Sequence, residues 1–138
     1  MLLVTGMHNL ADYGKTYKHI YKDKIKNIHR FNNQKLGDSM EIIVSKTIAG
    51  FSKFLDKHKP DLIVVHGDRV EPLGCAIAGS LKNFLVAHIE GGEISGSIDE
   101  ILRHSISKMS HVHFVSNSIA KKRLVQMGES KKNIHVIG

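Results

Sequence analysis

The chain reads as an α/β protein built on a Rossmann-like parallel sheet, and three observations carry that reading. Two short apolar runs, Leu62–Val65 and Phe84–Ile89, are rich in β-branched residues and end in polar bursts, the pattern of strands buried in a parallel sheet. Segments with helical apolar spacing separate such runs through the second half, so strand and helix alternate. At 138 residues the length suits a single domain, 1–138, with a real core.

Leu2–Thr5 forms a first short strand. A polar, tyrosine-bearing stretch from Met7 to Lys24 has weak helical character around Tyr13–Tyr21, and Asn27–Phe31 forms a second short strand. Asp38 opens the clearest helix, with Glu41 at capping-box spacing. Apolar Met40, Ile43, Val44, Ile48, Phe51, Phe54 and Leu55 follow as a stripe that lies on the sheet. Lys57, His58 and Lys59 favour the negative end of that helix, and Pro60 stops it.

Pro72 sits where the next helix begins, and Gly74, Ala76, Ala78 and Gly79 let it approach the sheet. Ser97 caps a helix from Ile98 to about Met109, with Glu100 completing a capping box. His111–Ser116 is a strand, Asn117 or Ser118 caps a helix ending near Gly128, and Ile134–Ile137 is a last strand.

Composition narrows the function classes. No apolar run approaches the ~20 residues of a membrane span, and the first residues lack the basic start of a signal peptide. One cysteine, Cys75, fits a reducing compartment and a small core residue, so a cytoplasmic protein is expected. The net charge of +7 raises nucleic acid as a partner. The lysines are scattered, however, and no aromatic residues interleave with them as stacking platforms. Solvated helix faces account for them better, with a preference for anionic ligands. His111 and His113 share one strand face, but no third ligand stands at a recognisable spacing, so no metal is expected. No Gly-rich phosphate fingerprint is present.

The sharpest functional signal lies at two strand ends. His66-Gly67-Asp68-Arg69 follows the first apolar run, and Glu90-Gly91-Gly92-Glu93 follows the second. Ligands of open α/β sheets bind beyond the carboxyl ends of the strands, and neighbouring strands lie about 4.8 Å apart. Asp68 and Glu90 are therefore expected to project into one crevice, with Gly91 and Gly92 permitting close backbone approach to a ligand. Asp68 reads equally well as a plain helix cap. Asp99 and Glu100 suit the first turn of a helix for dipole reasons alone, and Arg103 and His104 lie one turn on. His88, inside the strand, reads first as a core histidine.

Taken together, His66–Arg69, His88-Ile89-Glu90-Gly91-Gly92-Glu93, Ser95–Glu100 and Ile101–Met109 resemble the UDP-N-acetylglucosamine 2-epimerases. The Gly-Asp-Arg and His-Ile-Glu-Gly-Gly-Glu forms look like the hydrolysing branch, which feeds sialic and related nonulosonic acid synthesis. Val4–His8 with Tyr13-Gly14 looks like the family's second strand and its loop.

The resemblance implies a glycosyltransferase B-type fold of two Rossmann-like domains, of which this chain would be an incomplete N-terminal half. It implies elimination of UDP across C1–C2 of the sugar and hydration of the glycal, giving N-acetylmannosamine. Asp68, Glu90 and Asp99 would be the acid/base candidates. Arg69, His88, Glu93, Glu100, Arg103 and His104 would bind substrate or support them. No cofactor is implied. The partners would be a UDP-sugar and, in the full-length family, further copies of the same chain, with neither nucleic acid nor membrane.

Family members are more than twice this length. They open with a central strand and a Gly-x-Arg-x-(Asp/Glu)-Tyr turn, and no such motif precedes Leu2. Their second domain supplies most UDP contacts. The expectation is therefore a fragment, inactive alone. Its Leu2–Thr5 and Leu62–Val65 strands either pair directly or expose apolar edges that reduce stability or invite self-association. Two rival readings stay open: a non-catalytic remnant or binding module, and a basic nucleic-acid binder.

Overall fold

The apolar runs form the strands. In the computed structural model, which describes Met1–Gly138, the elements are β1 (Leu2–Val4), α1 (Tyr17–Lys22), β2 (Ile28–Arg30), α2 (Met40–His58), β3 (Leu62–His66), α3 (Val70–Leu81), β4 (Leu85–Ile89), α4 (Ile98–Lys108), β5 (Val112–Val115), α5 (Ser118–Gln126) and β6 (Ile134–Val136). Short 3-10 turns cover Gly6–Asn9 and Lys131–Asn133. All strand pairs are parallel, as helix-crossover connections demand. No helix is long and apolar enough to cross a membrane.

The sheet is in two pieces. β3, β4, β5 and β6 lie side by side in that order, while β1 pairs only with β2. Of the two arrangements expected at this join, direct pairing of β1 with β3 does not occur. β1 instead reaches the main body through side chains: Leu3 packs against the core that α2, α3, β3, β4 and α4 share, and Gly6 lies against Glu71.

That core comprises Phe51, Leu55, Ile63, Val65, Cys75, Ala76, Ala78, Val86 and Ile106. A smaller cluster of Val115, Ala120, Leu124 and Ile134 closes the far end. The small residues of α3 serve close packing, Gly79 against the sheet as expected but Gly74 against α2 instead. A Cβ on Gly79 would meet Ile63 Cδ1 at 2.5 Å, and one on Gly74 would meet Thr47 at 2.8 Å. Burial drives the Cys75 thiol up to about 12, so it stays a neutral core residue.

Four expectations need correction. β3 is not buried on both faces: Ile63 and Val65 face the core, but Leu62 and Val64 are exposed, because no helix covers that face. α2 starts at Met40 with Ser39 in the N-cap position. Asp38 instead accepts from the Lys35 N–H at 2.8 Å and from Lys46 Nζ at 2.6 Å, a loop closure that outcompetes capping. α3 begins at Val70, which leaves Pro72 in its first turn, where a missing N–H costs nothing. The helical part of the tyrosine stretch is only Tyr17–Lys22, and Tyr13 precedes it.

Candidate active site

β3 and β4 end side by side, with His66 opposite Ile89 in the ladder, so the two polar bursts emerge together. Between them His88 is fully buried. Its Nε2 lies 2.9 Å from the Gly67 carbonyl oxygen and its Nδ1 lies 3.0 Å from Ser107 Oγ. A carbonyl can only accept, so Nε2 carries the proton and Ser107 donates to Nδ1. The histidine thus ties the Gly67–Asp68 turn to α4. Desolvation, the dominant cause, lowers its pKa to about 4.

This gives a pH prediction. Between about 4 and 6.5 the unfolded chain binds a proton at His88 that the folded chain refuses, so stability rises with pH across that window. Acidification from 7 toward 4 should cost about 3 kcal/mol from this group, and His113, lowered chiefly by burial, acts in the same direction. Urea midpoints at pH 7 and pH 5 check it. The drop should shrink in His88→Asn, and an equal drop in both proteins would contradict the assignment.

Asp68 forms an ion pair with Arg103, whose side chain is only 11% exposed. The same guanidinium donates to the Glu93 carbonyl oxygen at 3.1 Å. Arg103 therefore clamps the ends of both polar bursts from α4, a bidentate task suited to arginine. Asp68 is not a helix cap: Arg69 occupies the N-cap position of α3 and no side chain caps it.

Glu90 holds a left-handed backbone, φ +69, a conformation that costs a non-glycine residue roughly 1 kcal/mol or more. Its N–H donates to the Phe114 carbonyl at 2.9 Å, and its carboxylate lies 2.9 Å from His66 Nε2. Both side chains remain more than half exposed. Strain at an exposed carboxylate is the kind that surrounding structure sustains at functional positions.

The glycines after Glu90 do not leave room for a ligand, contrary to expectation. A Cβ on Gly91 would meet Ser107 Oγ at 2.8 Å and His88 Nδ1 at 3.0 Å, and one on Gly92 would meet the Ala120 carbonyl oxygen at 2.4 Å. The protein itself fills that space. Glu93 accepts from Ser116 Oγ and from Asn117 Nδ2 at 2.8 Å, and Arg123 donates to the Gly92 carbonyl at 2.9 Å. Glu93 thus pins the loop onto the start of α5, whose N-cap is Asn117, bonded to the Ile119 and Ala120 N–H groups at 2.9 Å.

The third acidic candidate lies apart. Asp99 lines a pocket of about 210 Å³ together with Arg69, Tyr13, Gln34 and Glu71, and neither Asp68 nor Glu90 lines it. Ser97 caps α4 by accepting from the Asp99 N–H at 3.3 Å. Glu100 does not complete a capping box. Its carboxylate accepts from the N–H groups of Gly96 at 2.8 Å and Ser95 at 2.9 Å, and these bonds hold its pKa below the usual carboxylate value. Glu100 is a loop fastener. His104 keeps a buried Nδ1 with no partner.

His111 and His113 turn to separate tasks: the Val86 N–H points at His111 Nδ1 at 3.2 Å, and His113 Nε2 lies 3.3 Å from Glu129. Sequence alone singles out the Asp68, Glu90 and Arg103 positions but not the roles of His66 and Ser107. His66 was findable, since it directly precedes the first burst. Ser107 was not, because nothing local marks a helix serine as a histidine's partner.

A profile described as UDP-N-acetylglucosamine 2-epimerase matches residues 1–138. The chain belongs to the UDP-N-acetylglucosamine 2-epimerase family. The Neisseria meningitidis serogroup B UDP-N-acetylglucosamine 2-epimerase is 48% identical over 137 residues, which are 99% of this chain and 36% of that protein. The Campylobacter jejuni GDP/UDP-N,N'-diacetylbacillosamine 2-epimerase (hydrolyzing) is 42% identical, with 99% of this chain and 36% of the relative covered. The solved UDP-GlcNAc 2-epimerase of Methanocaldococcus jannaschii superposes with a TM-score of 0.81 at 26% identity, over 99% of this chain and 36% of that one. The chain thus spans little more than a third of the length of the epimerases it matches. The fold is the Rossmann-like half of their glycosyltransferase B-type architecture.

Proposed function

We propose that this chain carries the acid/base half of a hydrolysing UDP-N-acetylglucosamine 2-epimerase, acting on a UDP-sugar to release UDP and N-acetylmannosamine. The observation that supports it best is that the exposed, conformationally strained Glu90 and the Arg103-clamped Asp68 follow the ends of adjacent strands. The hydrolysing branch is favoured by the Campylobacter relative, which is named as hydrolyzing.

The chemistry needs groups of this kind. A base takes the C2 proton as the C1–O bond to UDP breaks, leaving a glycal. Water then adds its oxygen to C1, and a proton enters C2 from the opposite face. Two acid/base groups must therefore flank the ring. In this reading Glu90 and Asp68 are those groups, Asp99 serves as a third from its neighbouring pocket, and Arg69 offers positive charge to the sugar diphosphate. His88, Arg103, Glu93 and Glu100 position the loops, and His104 is assigned a supporting role. In the family the UDP contacts come largely from a second domain, so positioned charge for the leaving group is incomplete in 138 residues. The complete protein is proposed to act in the cytoplasm as a homo-oligomer.

The purified 138-residue chain should release no UDP from UDP-N-acetylglucosamine, whereas a polypeptide joining it to an epimerase second domain should. Turnover by the chain alone at the rate of a full-length relative would contradict this division of the site.

A further inference from the structure

Asp99, Arg103 and Ser107 stand one turn apart on one face of α4. The first two already have places, at the pocket and at the Asp68 clamp. Ser107 is fully buried. A helix serine often returns its hydroxyl to a carbonyl of the preceding turn. Ser105 and Ser110 do so, bonding Ile101 and Ile106 at 2.8 Å. Ser107 gives its hydroxyl to His88 Nδ1 instead, at 3.0 Å.

That bond forms a floor beneath the second polar burst. Gly91 lies directly on it, since a Cβ there would meet Ser107 Oγ at 2.8 Å and His88 Nδ1 at 3.0 Å. The residue before it is Glu90, with its φ of +69. The Glu90 N–H bond to the Phe114 carbonyl, 2.9 Å, holds one side of that conformation. The Ser107–His88 pair supports the other. His88 also reaches the Gly67 carbonyl at 2.9 Å, one residue before Asp68, so one hydroxyl bears on both carboxylate-carrying turns. Its own position is fixed. Ile106, its neighbour in α4, sits in the main core. Glu100 ties the start of the helix to the Ser95 and Gly96 amides, and Lys108 ties its end to Glu129. A rigid element of this kind is what a precise site is built on.

We propose that Ser107 is a positioning residue for Glu90 that acts through His88. Its hydroxyl holds the imidazole as the platform on which Gly91 rests, and so keeps the Glu90 backbone left-handed and its carboxylate beyond the end of β4. With alanine at this position, Nδ1 retains a buried lone pair without a donor, which shifts a local equilibrium by about tenfold. The ring then turns or admits water, and the Glu90 turn loses its floor. The consequence for catalysis rests on the acid/base role proposed for Glu90, whereas the platform itself does not.

Two measurements therefore test the two parts separately. Amide hydrogen exchange by NMR on the 138-residue chain reads the platform. Ser107→Ala should speed exchange of the Glu90 N–H about tenfold, with exchange across the β3–β4 ladder unchanged. Ser107→Thr, which keeps the hydroxyl, should restore slow exchange. In a His88→Phe background, which offers the hydroxyl no acceptor, Ser107→Ala should add no further increase. UDP release by a polypeptide that completes the epimerase length reads the consequence. There Ser107→Ala should lower kcat about tenfold or more while KM stays within about twofold, since placement of Glu90 matters in the transition state. Ser107→Thr should recover kcat. Four results would overturn the inference: unchanged Glu90 exchange in Ser107→Ala, a threonine variant no better than alanine, the same Ser107→Ala effect with and without His88, or an unchanged kcat in an active polypeptide. A completed polypeptide that releases no UDP before any substitution would contradict the epimerase reading instead, and the exchange rates would still decide the Ser107–His88 platform.

Discussion

Glu90→Gln, made in a polypeptide that completes the epimerase length, should lower the rate of UDP release by roughly 10²–10⁴-fold, the usual worth of a positioned acid/base group. The substitution keeps the shape of the side chain and its reach toward His66 Nε2, 2.9 Å away, but glutamine cannot take a proton. Folding should be little affected, because the carboxylate is more than half exposed and exposed ion pairs contribute little. Lys131→Ala and Lys132→Ala, on the 3-10 turn before β6, should leave the rate unchanged. Steady-state UDP release in the variants reads all of this at once, and equal losses at Glu90 and at the lysines would remove Glu90 from the site.

The largest stability loss is expected at a glycine packed against the protein's own backbone. Gly92→Ala places a methyl group 2.4 Å from the Ala120 carbonyl oxygen, on a backbone with φ +79. The left-handed conformation costs an L-residue about 1–2 kcal/mol, and overpacking against backbone adds about 1–3 kcal/mol. The carbonyl cannot yield cheaply, since Ala120 sits fully buried in α5. A combined loss of about 2–5 kcal/mol follows, measured as a fall in urea midpoint. Gly96→Ala is the control: it shares a positive φ, +67, but meets nothing within 4 Å, so it should cost only the conformational part. Equal effects at both glycines would mean that the contact with α5 does not hold the loop.

The strands and the order of the elements were legible because local sequence encodes them: β-branched runs, a proline stop after His58, an asparagine at the start of α5. The clustering of polar bursts was legible too, since adjacent parallel strands bring their ends together whatever the details. Pairings across long stretches of chain were not. Asp68 finds Arg103 from 35 positions away, and His88 finds Ser107 from 19. Neither spacing has a local signature. Capping went wrong where a competing partner lay nearby: Lys46 drew Asp38 away from α2, and the Ser95 and Gly96 amides drew Glu100 from its own helix start. The glycines after Glu90 suggest room for a ligand from sequence alone, because sequence shows that a side chain is absent but not what fills the space.

Isotope content at C2 of the product tests the acid/base reading most directly. The completed polypeptide is incubated with UDP-N-acetylglucosamine in D2O, and the N-acetylmannosamine formed is examined by mass spectrometry and proton NMR. If a protein carboxylate removes the C2 proton and a solvent-exchanged group returns one on the other face, each product molecule gains one deuterium, located at C2. The rate of its appearance should fall together with UDP release in Glu90→Gln. Product that keeps its original C2 hydrogen, or deuterium uptake untouched by Glu90→Gln, would contradict the assignment of these strand-end carboxylates.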